Sequence, residues 1–357
     1  MTIIKVLVVD DSAFMRKMIT EILDRDPRPS IVGIARNGQD GLLKAKELQP
    51  DVITLDIEMP IMDGLTALKA LMVTQSAAVV MLSSLTQQGA HSTIQALALG
   101  AVDFVGKPSG AISLDIQAIS HDLKRKVTAA GQANIRQPEG LPAGNASEIT
   151  YVKDFPAGSG KAPRLLVIGA STGGPRALLH LLQSLPSSFP IPIVIVQHMP
   201  AGFTQSLAHR LNNHSHLHVK EAEEGEQLEK GVVYVAPGNK HVAISKVKEG
   251  YGVELSDDEP VIGHRPSMTF LLQSLVNHPE LHIITVILTG MGADGTEGLL
   301  QLHKHEAKVY VLAESQETAV IYGMPKAVVK AKLANEIVPL YEMGQRIVSM
   351  VNREGRV

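Results

Sequence analysis

The sequence predicts an α/β protein with two doubly wound domains. Short β-branched runs alternate with segments of helical periodicity in two regions of the chain, which is typical of parallel sheets covered by helices. Between these regions lies a stretch rich in Ala, Gly, Gln, Asn, Pro and Ser. A chain of 357 residues also exceeds the size at which a single core usually stops growing. We therefore expect domains over residues 1–125 and 163–352, joined by a flexible linker over 126–162.

The first region contains five βα units. Such units predict one parallel sheet, and the ligands of these sheets bind beyond the carboxyl ends of the strands. Apolar residues recur at helical spacing after the first four candidate strands. The candidate strands run from Lys5 to Val9, Ile31 to Ala35, Val52 to Leu55, Val79 to Leu82 and Val102 to Val105, and the helical segments cover 14–23, 42–48, 65–72 and 94–99.

The second region repeats this pattern with one insertion. The segment from Val242 to Leu255 is typical of an antiparallel hairpin, added to an otherwise parallel scheme. We expect helices after Pro175, Gly202, Ser267, Gly295 and Gly323. The candidate strands, including the two of the hairpin, run from Leu165 to Ile168, Ile193 to Val196, Val232 to Val235, Val242 to Ile244, Val253 to Leu255, Ile283 to Leu288 and Val309 to Leu312.

Composition excludes several classes of protein. The 33 basic and 36 acidic residues leave a net charge of −3, which gives no electrostatic footprint for nucleic acid. Zero cysteines exclude disulfides, thiolate metal sites and a cysteine nucleophile. The first ten residues read as a strand rather than a signal peptide, and no apolar run reaches the roughly 18 residues of a membrane span. We expect a cytoplasmic protein that is not inserted in a membrane and binds no nucleic acid.

Polar residues follow four of the five strands of the first region. Asp10 and Asp11 follow the first strand, Asp56 the third, Ser83 the fourth and Lys107 the fifth. Three carboxylates beside a lysine suit a hard divalent ion such as Mg²⁺, and a hydroxyl and an ammonium can hold phosphate oxygens. The acid pair could instead cap the following helix. Placement of all these residues on one edge of the sheet favours the ligand pocket.

The motifs of this pocket closely resemble those of the receiver domains of two-component response regulators. They are the segments from Val8 to Arg16, Leu55 to Gly64 and Gly106 to Pro108. The resemblance implies a flavodoxin-like fold in which Asp56 accepts a phosphoryl group from a histidine kinase. It further implies an Mg²⁺ site made by Asp10, Asp11 and Asp56, and a phosphate switch made by Ser83, Phe104 and Lys107.

In the second region, Ser171 lies in a glycine-rich turn between an apolar strand and a helix. Small neighbours can lift its side chain toward a substrate, while backbone N–H groups around Thr172 at the helix start face negative charge. The same turn could cradle a phosphate, or Ser171 could simply be a helix N-cap. A serine nucleophile needs a base and a third group that orients the base.

Two other strand ends supply these partners. His198 follows one apolar strand, and Asp294 follows another within a turn that contains Gly290, Gly292 and Gly295. Those glycines permit a tight turn whose N–H groups can point at an oxyanion. A lone histidine is more often structural, and Asp-Gly is most often a turn. Joint placement on one edge favours a Ser171, His198, Asp294 triad over three separate coincidences.

Other histidines give weaker signals. His241, and Arg265 beside His264, lie on predicted polar loops that could line a substrate cleft or merely cap those loops. The alternating histidines from His214 to His218 lack a further ligand at a defined spacing, so surface polarity is favoured over a metal site.

The second region resembles the chemotaxis protein-glutamate methylesterases. The matching segments are Gly169 to Gly174, Gln197 to Pro200, Ala236 to Gly238, His264 to Ser267 and Leu288 to Gly295. The resemblance implies hydrolysis of glutamate γ-methyl esters on methyl-accepting chemoreceptors, usually with deamidation of receptor glutamines, and no metal or cofactor in this domain. It implies that the backbone at Met291 contributes to the oxyanion site. The chain departs from the family at Thr269, where an acid is common, and at Glu314, where Gln is usual.

Three alternatives remain open from the residues alone. A DNA-binding regulator is a common fate of a receiver, but the second region lacks a basic face. A conventional α/β-hydrolase has its acid before its histidine, whereas here His198 precedes Asp294. A nucleotide-binding loop is disfavoured because no lysine follows the glycines around Ser171.

Overall fold

The computed structural model describes residues 3–74, 77–108, 113–135 and 163–352. Contacts divide the chain into two compact units, Met1–Gln137 and Pro138–Val357. Most of the predicted linker, residues 136–162, lies outside the described residues. Its predicted start at residue 126 differs from the structure, because a helix spans Ser113–Ala130. Buried side chains on this helix, such as Val127 and Ala130, extend the packed region past residue 125.

The first unit contains five strands and five helices among its described residues. Every strand predicted from the sequence is present, and so is the helix of the fifth βα unit, for which no segment was predicted from the sequence. The strands are β1 Ile4–Val9, β2 Pro29–Ala35, β3 Val52–Asp56, β4 Ala78–Ser83 and β5 Asp103–Gly106. The helices are α1 Ala13–Leu23, α2 Gly38–Leu48, α3 Gly64–Thr74, α4 Gln87–Leu99 and α5 Ser113–Ala130.

The sheet of the first unit is wholly parallel and has the order β2-β1-β3-β4-β5. Every residue of β3 and β4 is buried, because helices cover both faces of the central strands. Strand β2 lies on one side of β1, and β3 lies on the other side. The carboxyl ends of β1 and β3 therefore meet at the point where the strand order reverses, which is the usual ligand position in such sheets.

The second unit combines a parallel sheet with a separate two-stranded hairpin. Its strands are β6 Arg164–Ala170, β7 Ile193–Gln197, β8 His218–Glu221, β9 Val232–Val235, β10 His241–Val247, β11 Gly250–Ser256, β12 His282–Ile287, β13 Val309–Glu314 and β14 Glu336–Val338. Its helices are α6 Gly174–Gln183, α7 Phe203–His214, α8 Met268–Ser274, α9 Thr296–Lys304, α10 Met324–Lys330 and α11 Leu340–Asn352, with a short 3₁₀ helix at Leu275–Asn277.

The large sheet has the order β14-β13-β12-β6-β7-β9-β8, with all neighbours parallel. The predicted hairpin is confirmed as β10 paired antiparallel with β11. Strands β8 and β14 and helix α11 were not predicted. Strand β6 lies between β12 and β7. Its carboxyl end is therefore at the point where the strand order of this sheet reverses.

A continuous apolar core fills the second unit between sheet, hairpin and helices. Fully buried members come from the central strands and from the helix after the hairpin, for example Val167, Leu271 and Ile287. This packing makes the ends of β6, β7 and β12 rigid supports for polar side chains. Within the described residues, no helix is both long and apolar enough to cross a membrane.

Candidate functional site

Ser171 directly follows β6 and is mostly buried. Its N–H donates to the Thr289 carbonyl at 3.0 Å, and its carbonyl accepts from Gln197 Nε2 at 2.9 Å. Helix α6 begins at Gly174 with Gly173 as N-cap, and Gly173 has the positive φ of +79° that favours glycine. The Ser171 hydroxyl is therefore not the N-cap of this helix. The backbone of the turn is held by neighbouring strand ends, which leaves the side chain for another task.

His198 and Asp294 form a buried pair at the adjacent strand ends. The His198 Nε2 atom lies 2.7 Å from Asp294 Oδ2, and the side chains are 6% and 1% exposed. His198 also donates its N–H to the carbonyl of Ala170, the residue before Ser171, at 3.2 Å. Residues after β6, β7 and β12 are thus brought together on one edge, as predicted.

The Asp294 carboxylate accepts several further hydrogen bonds at the start of helix α8. Ser267 Oγ donates to it at 2.8 Å, Met268 N–H at 2.8 Å and Thr269 N–H at 3.0 Å. Burial alone would raise the pKa of Asp294, but hydrogen bonds from His198 and Thr269 outweigh it and hold this pKa well below its usual range. Asp294 is therefore ionised and fixed in orientation.

The second ring nitrogen of His198 is available for proton transfer. Its Nδ1 atom is buried and has no hydrogen-bond partner within the described parts of the chain. With a proton on Nε2 directed at Asp294, Nδ1 is the basic nitrogen. Ser171 Oγ makes no hydrogen bond to His198 among the described residues, and such bonds often form only when substrate is present. The arrangement suits general-base activation of a serine.

Gly290 allows the turn after β12 to approach Ser171. A Cβ atom at Gly290 would lie 2.8 Å from Ser171 Cβ and 2.5 Å from Met324 Sδ. The N–H of Gly290 donates to the Ile321 carbonyl, whereas that of Met291 has no acceptor within the described residues. Met291 N–H therefore has the availability that an oxyanion donor needs. Thr172 is buried beside Ser171, and its carbonyl accepts from the Thr289 hydroxyl at 2.9 Å.

His241 does not lie where the sequence suggested. It begins strand β10 and is fully buried, with its ring stacked on Phe270 at 4.3 Å between centroids. Its Nε2 atom contacts the Glu259 carbonyl at 3.2 Å, and burial lowers its pKa. The expectation that His241 lines a substrate cleft from a polar loop is therefore wrong, because the apolar packing under the hairpin takes its ring inside.

Arg265 and His264 lie on the segment that leads into α8. The Arg265 guanidinium donates to the backbone carbonyls of Asp257 and Asp258, which stabilises this loop in the way that the capping alternative expected. The His264 ring stacks on His198 with 3.9 Å between centroids and an interplanar angle of 6°. His264 thus contacts the catalytic candidate, whereas Arg265 holds the loop that carries it.

Ser267 and Glu314 stand out in the sequence as a helix start and a departure from the family, but their roles in fixing Asp294 and Thr289 were not predicted. Ser267 is the N-cap of α8, and a Ser before an apolar helix was a usable signal for it. Glu314 is fully buried at the end of β13, where it accepts from Thr289 N–H at 2.7 Å and from the Thr318 hydroxyl at 3.0 Å. Burial raises the pKa of Glu314 to about 7. Glu314 thereby supports the residue whose carbonyl holds Ser171 N–H.

In the first unit, the predicted pocket is present at the ends of β1, β3 and β5. Lys107 Nζ lies 2.6 Å from Asp56 Oδ2 and 3.2 Å from Asp10 Oδ2. Asp10 and Asp56 are buried, and Asp11 is exposed. Helix α1 is capped by the hydroxyl of Ser12 rather than by either acid of the pair. The acids are therefore not explained by helix capping.

The charges of this pocket are poorly balanced. Burial raises the pKa of Asp56 to about 6, against the opposing effect of Lys107, and burial also raises the pKa of Asp10. Each of Asp10, Asp11 and Asp56 offers a carboxylate oxygen, and these oxygens lie within 4.8 Å of one another. An all-oxygen set with excess negative charge fits a hard divalent cation such as Mg²⁺.

The remaining switch candidates of the first unit are buried. Ser83 Oγ lies 3.2 Å from the Gly89 carbonyl and accepts from the Thr93 hydroxyl at 2.7 Å, which joins the end of β4 to α4. Phe104 lies on β5 beneath Lys126, whose Nζ is 4.9 Å from the ring centroid. A hydroxyl with these partners has to exchange one of them to contact a phosphate.

Comparison with known families finds two matches that together span most of the chain. Residues 166–347 match the family described as CheB methylesterase, and residues 6–118 match the response regulator receiver domain. The two ranges agree with the two units described above.

Similar proteins cover the chain nearly end to end. The protein-glutamate methylesterase/protein-glutamine glutaminase of Halalkalibacterium halodurans is 46% identical over 98% of this chain and 99% of its own length. The protein of the same name from Bacillus subtilis is 43% identical over 98% of this chain and 99% of its own length. The crystal structure of the Thermotoga maritima CheB methylesterase catalytic domain is 40% identical, with a TM-score of 0.50 over 53% of this chain and 99% of that domain.

Replacing Glu314 by Gln is expected to change how stability depends on pH. Because the folded-state pKa of Glu314 is raised to about 7, ionisation is disfavoured in the folded state. The wild type therefore loses stability as the pH rises from the unfolded pKa of roughly 4.5 through 7, and E314Q does not. Chemical denaturation measures the free energy of unfolding at each pH. The difference in this free energy between E314Q and wild type should shift in favour of E314Q by up to about 3 kcal/mol from pH 5 to pH 8.

The exposed Glu249 gives the matched control, since E249Q also removes one acidic side chain. A stability difference between E314Q and wild type that is the same at both pH values would contradict this assignment of Glu314.

Proposed function

The chain belongs to the family of protein-glutamate methylesterases/protein-glutamine glutaminases, and from this premise we propose that it hydrolyses glutamate γ-methyl esters on chemoreceptors. The same centre deamidates receptor glutamines, because both reactions pass through attack on a side-chain acyl carbon. The observation that carries the proposal is the buried pair of His198 and Asp294 beside Ser171. The substrate sites lie on the cytoplasmic helices of methyl-accepting chemoreceptors, and the reaction serves chemotactic adaptation.

In the proposed mechanism, Ser171 Oγ attacks the ester carbonyl and His198 Nδ1 takes the hydroxyl proton. Asp294 accepts a hydrogen bond from the Nε2–H group of His198 and stabilises the imidazolium that forms. The Met291 N–H group and the N–H groups of the turn at Thr172 donate hydrogen bonds to the oxyanion. Proton return from His198 releases methanol from an ester, or ammonia from a glutamine, and leaves an acyl-enzyme. Water activated by the same histidine then hydrolyses the acyl-enzyme to the free glutamate.

For the first unit, we propose that a chemotaxis histidine kinase phosphorylates Asp56 and that phosphorylation raises esterase activity. Asp56 has the placement that a phosphoacceptor needs, at the end of β3 with Lys107 against its carboxylate. A bound Mg²⁺ would be held by Asp10, Asp11 and Asp56 and would neutralise the charge of the incoming phosphoryl group. Lys107, Ser83 and Phe104 are the groups proposed to respond to the phosphate.

Replacing Ser171 by Ala is expected to abolish ester hydrolysis. Loss of the nucleophile should reduce turnover by on the order of 10⁴ to 10⁶, which is far more than a lost cap or hydrogen bond would cause. The measurement is mass spectrometry of a methylated chemoreceptor after incubation with enzyme, since methyl loss and deamidation shift the mass differently.

Ser349→Ala on α11 is the matched control, because within the described part of the chain this hydroxyl hydrogen-bonds only to α11 groups, the carbonyl and guanidinium of Arg346. Near-normal methyl release by S171A would show that the nucleophile has been misassigned.

Replacing Asp56 by Asn should remove stimulation by phosphorylation, because an amide cannot accept a phosphoryl group to give an acyl phosphate. Esterase activity of the intact chain is measured with and without Mg²⁺ and a small phosphoryl donor such as acetyl phosphate. The wild type should be stimulated and D56N should not.

Asp51→Asn serves as control, because Asp51 lies at the opposite end of β3 and accepts from Lys5 N–H. This variant should be stimulated like the wild type. Equal stimulation of D56N and wild type would rule out Asp56 as the phosphoacceptor.

A further inference from the structure

A tight turn beside the candidate active site carries an exposed isoleucine. Val261 and His264 exchange both backbone hydrogen bonds, at 3.1 and 3.0 Å, around the two central residues Ile262 and Gly263. Both central residues have positive φ, +52° at Ile262 and +76° at Gly263. Positive φ at both positions is the requirement of a type I′ turn.

Isoleucine is a poor residue for this position. Type I′ turns favour Asn, Asp or Gly at the first central position, because a β-branched side chain clashes with the backbone at positive φ. Ile262 is the one β-branched residue with positive φ among described residues 163–352. The second central position is Gly263, as the turn requires. The local sequence therefore matches its backbone at one position and conflicts with it at the other.

Packing does not account for Ile262. The side chain is 60% exposed, so it gives little burial in return for its strained backbone. A single exposed apolar residue is ordinary, and strain alone also occurs at tight turns. In the second unit the two coincide at Ile262, and in the first unit they coincide at Ile61, which follows the Asp56 pocket in sequence. Both properties disfavour the protein in isolation. Strain kept at such a position is typical of sites that act on another molecule.

The turn is directly connected to the catalytic candidates. His264, which closes the turn, stacks on His198 at 3.9 Å. Three residues later, Ser267 donates to Asp294 at 2.8 Å. Two points of the same short segment therefore contact the base and its orienting acid. The tip of this turn, at Ile262, therefore lies two residues in sequence from a ring that stacks on the candidate base.

We propose that Ile262 determines specificity for the protein substrate by contacting an apolar side chain next to the esterified glutamate. This inference rests on the proposed methylesterase function and concerns how the same site selects its substrate. The contact covers apolar surface of Ile262 that is otherwise exposed to water, so it contributes to binding of a protein substrate. A tight turn held at two points presents this contact in a fixed position, which limits the entropy lost on binding.

The test replaces Ile262 by Asn in the full-length chain. Asn suits the backbone of the turn, so the melting temperature should rise by about 2–4 °C. Loss of the apolar contact should raise KM for methylated chemoreceptor about five- to tenfold with kcat unchanged. Activity is measured as methanol release with the receiver phosphorylated by acetyl phosphate.

Two further variants separate contact from strain. I262L keeps an apolar side chain and should retain KM within about twofold. Ile337→Asn removes another exposed isoleucine, on edge strand β14, and should leave KM unchanged. If I262N melts higher but has wild-type KM, the strain is real and the substrate contact is refuted. If kcat falls instead of KM rising, Ile262 acts on the triad and the proposal is also overturned.

The outcomes distinguish this inference from the proposed function. Absence of methanol release by the wild-type chain contradicts the methylesterase function itself, and with it any role of Ile262 in selecting that substrate. Methanol release with equal KM for wild type and I262N contradicts the role of Ile262 alone.

Discussion

The Asp294 carboxylate accepts hydrogen bonds from separate parts of the second unit, and its burial makes these bonds necessary. A buried carboxylate without donors costs several kcal/mol, so the turn after β12 is stable only where donors surround it. Its donors are the His198 ring after β7 and the hydroxyl and N–H groups at the start of α8. The same bonds that satisfy the charge place the imidazole beside the β6 turn. The hydrogen bonds to Asp294 therefore stabilise this edge of the sheet and also orient His198 for proton transfer.

The two units treat buried carboxylates in opposite ways. The hydrogen bonds that Asp294 accepts outweigh the effect of its burial, so its pKa is lowered. A low pKa suits an acid that stays ionised while it orients a base. Around Asp56, a single lysine contacts more than one acid and the pKa is raised to about 6. A bound cation would balance the excess negative charge around Asp56, whereas hydrogen-bond donors already compensate the charge of Asp294. The fold class is the same, and the chemistry differs because the donors differ.

Much of this arrangement is predictable from the sequence. Strand ends in parallel sheets meet at one edge, so Ser171, His198 and Asp294 could be grouped from apolar runs alone. His241 was misplaced because a polar loop and a buried strand start look alike when tertiary packing is unknown. Strands β8 and β14 were missed because short edge strands carry weak periodicity. Helix α11 has a clear apolar stripe, including Met343, Ile347 and Val351, which was overlooked in the sequence. The roles of Thr269 and Glu314 depend on contacts 25 residues away, which no local pattern encodes.

We propose that Asp294 sets the tautomer of His198 and leaves Nδ1 as the base for Ser171. Nitrogen-15 NMR of the His198 imidazole, at a pH where the ring is neutral, tests it most directly. The structure predicts a protonated Nε2, in the short hydrogen bond to Asp294, and an unprotonated Nδ1. A ring with its proton on Nδ1 and a bare Nε2 would contradict the account, because Asp294 would then face a nitrogen that donates nothing to it.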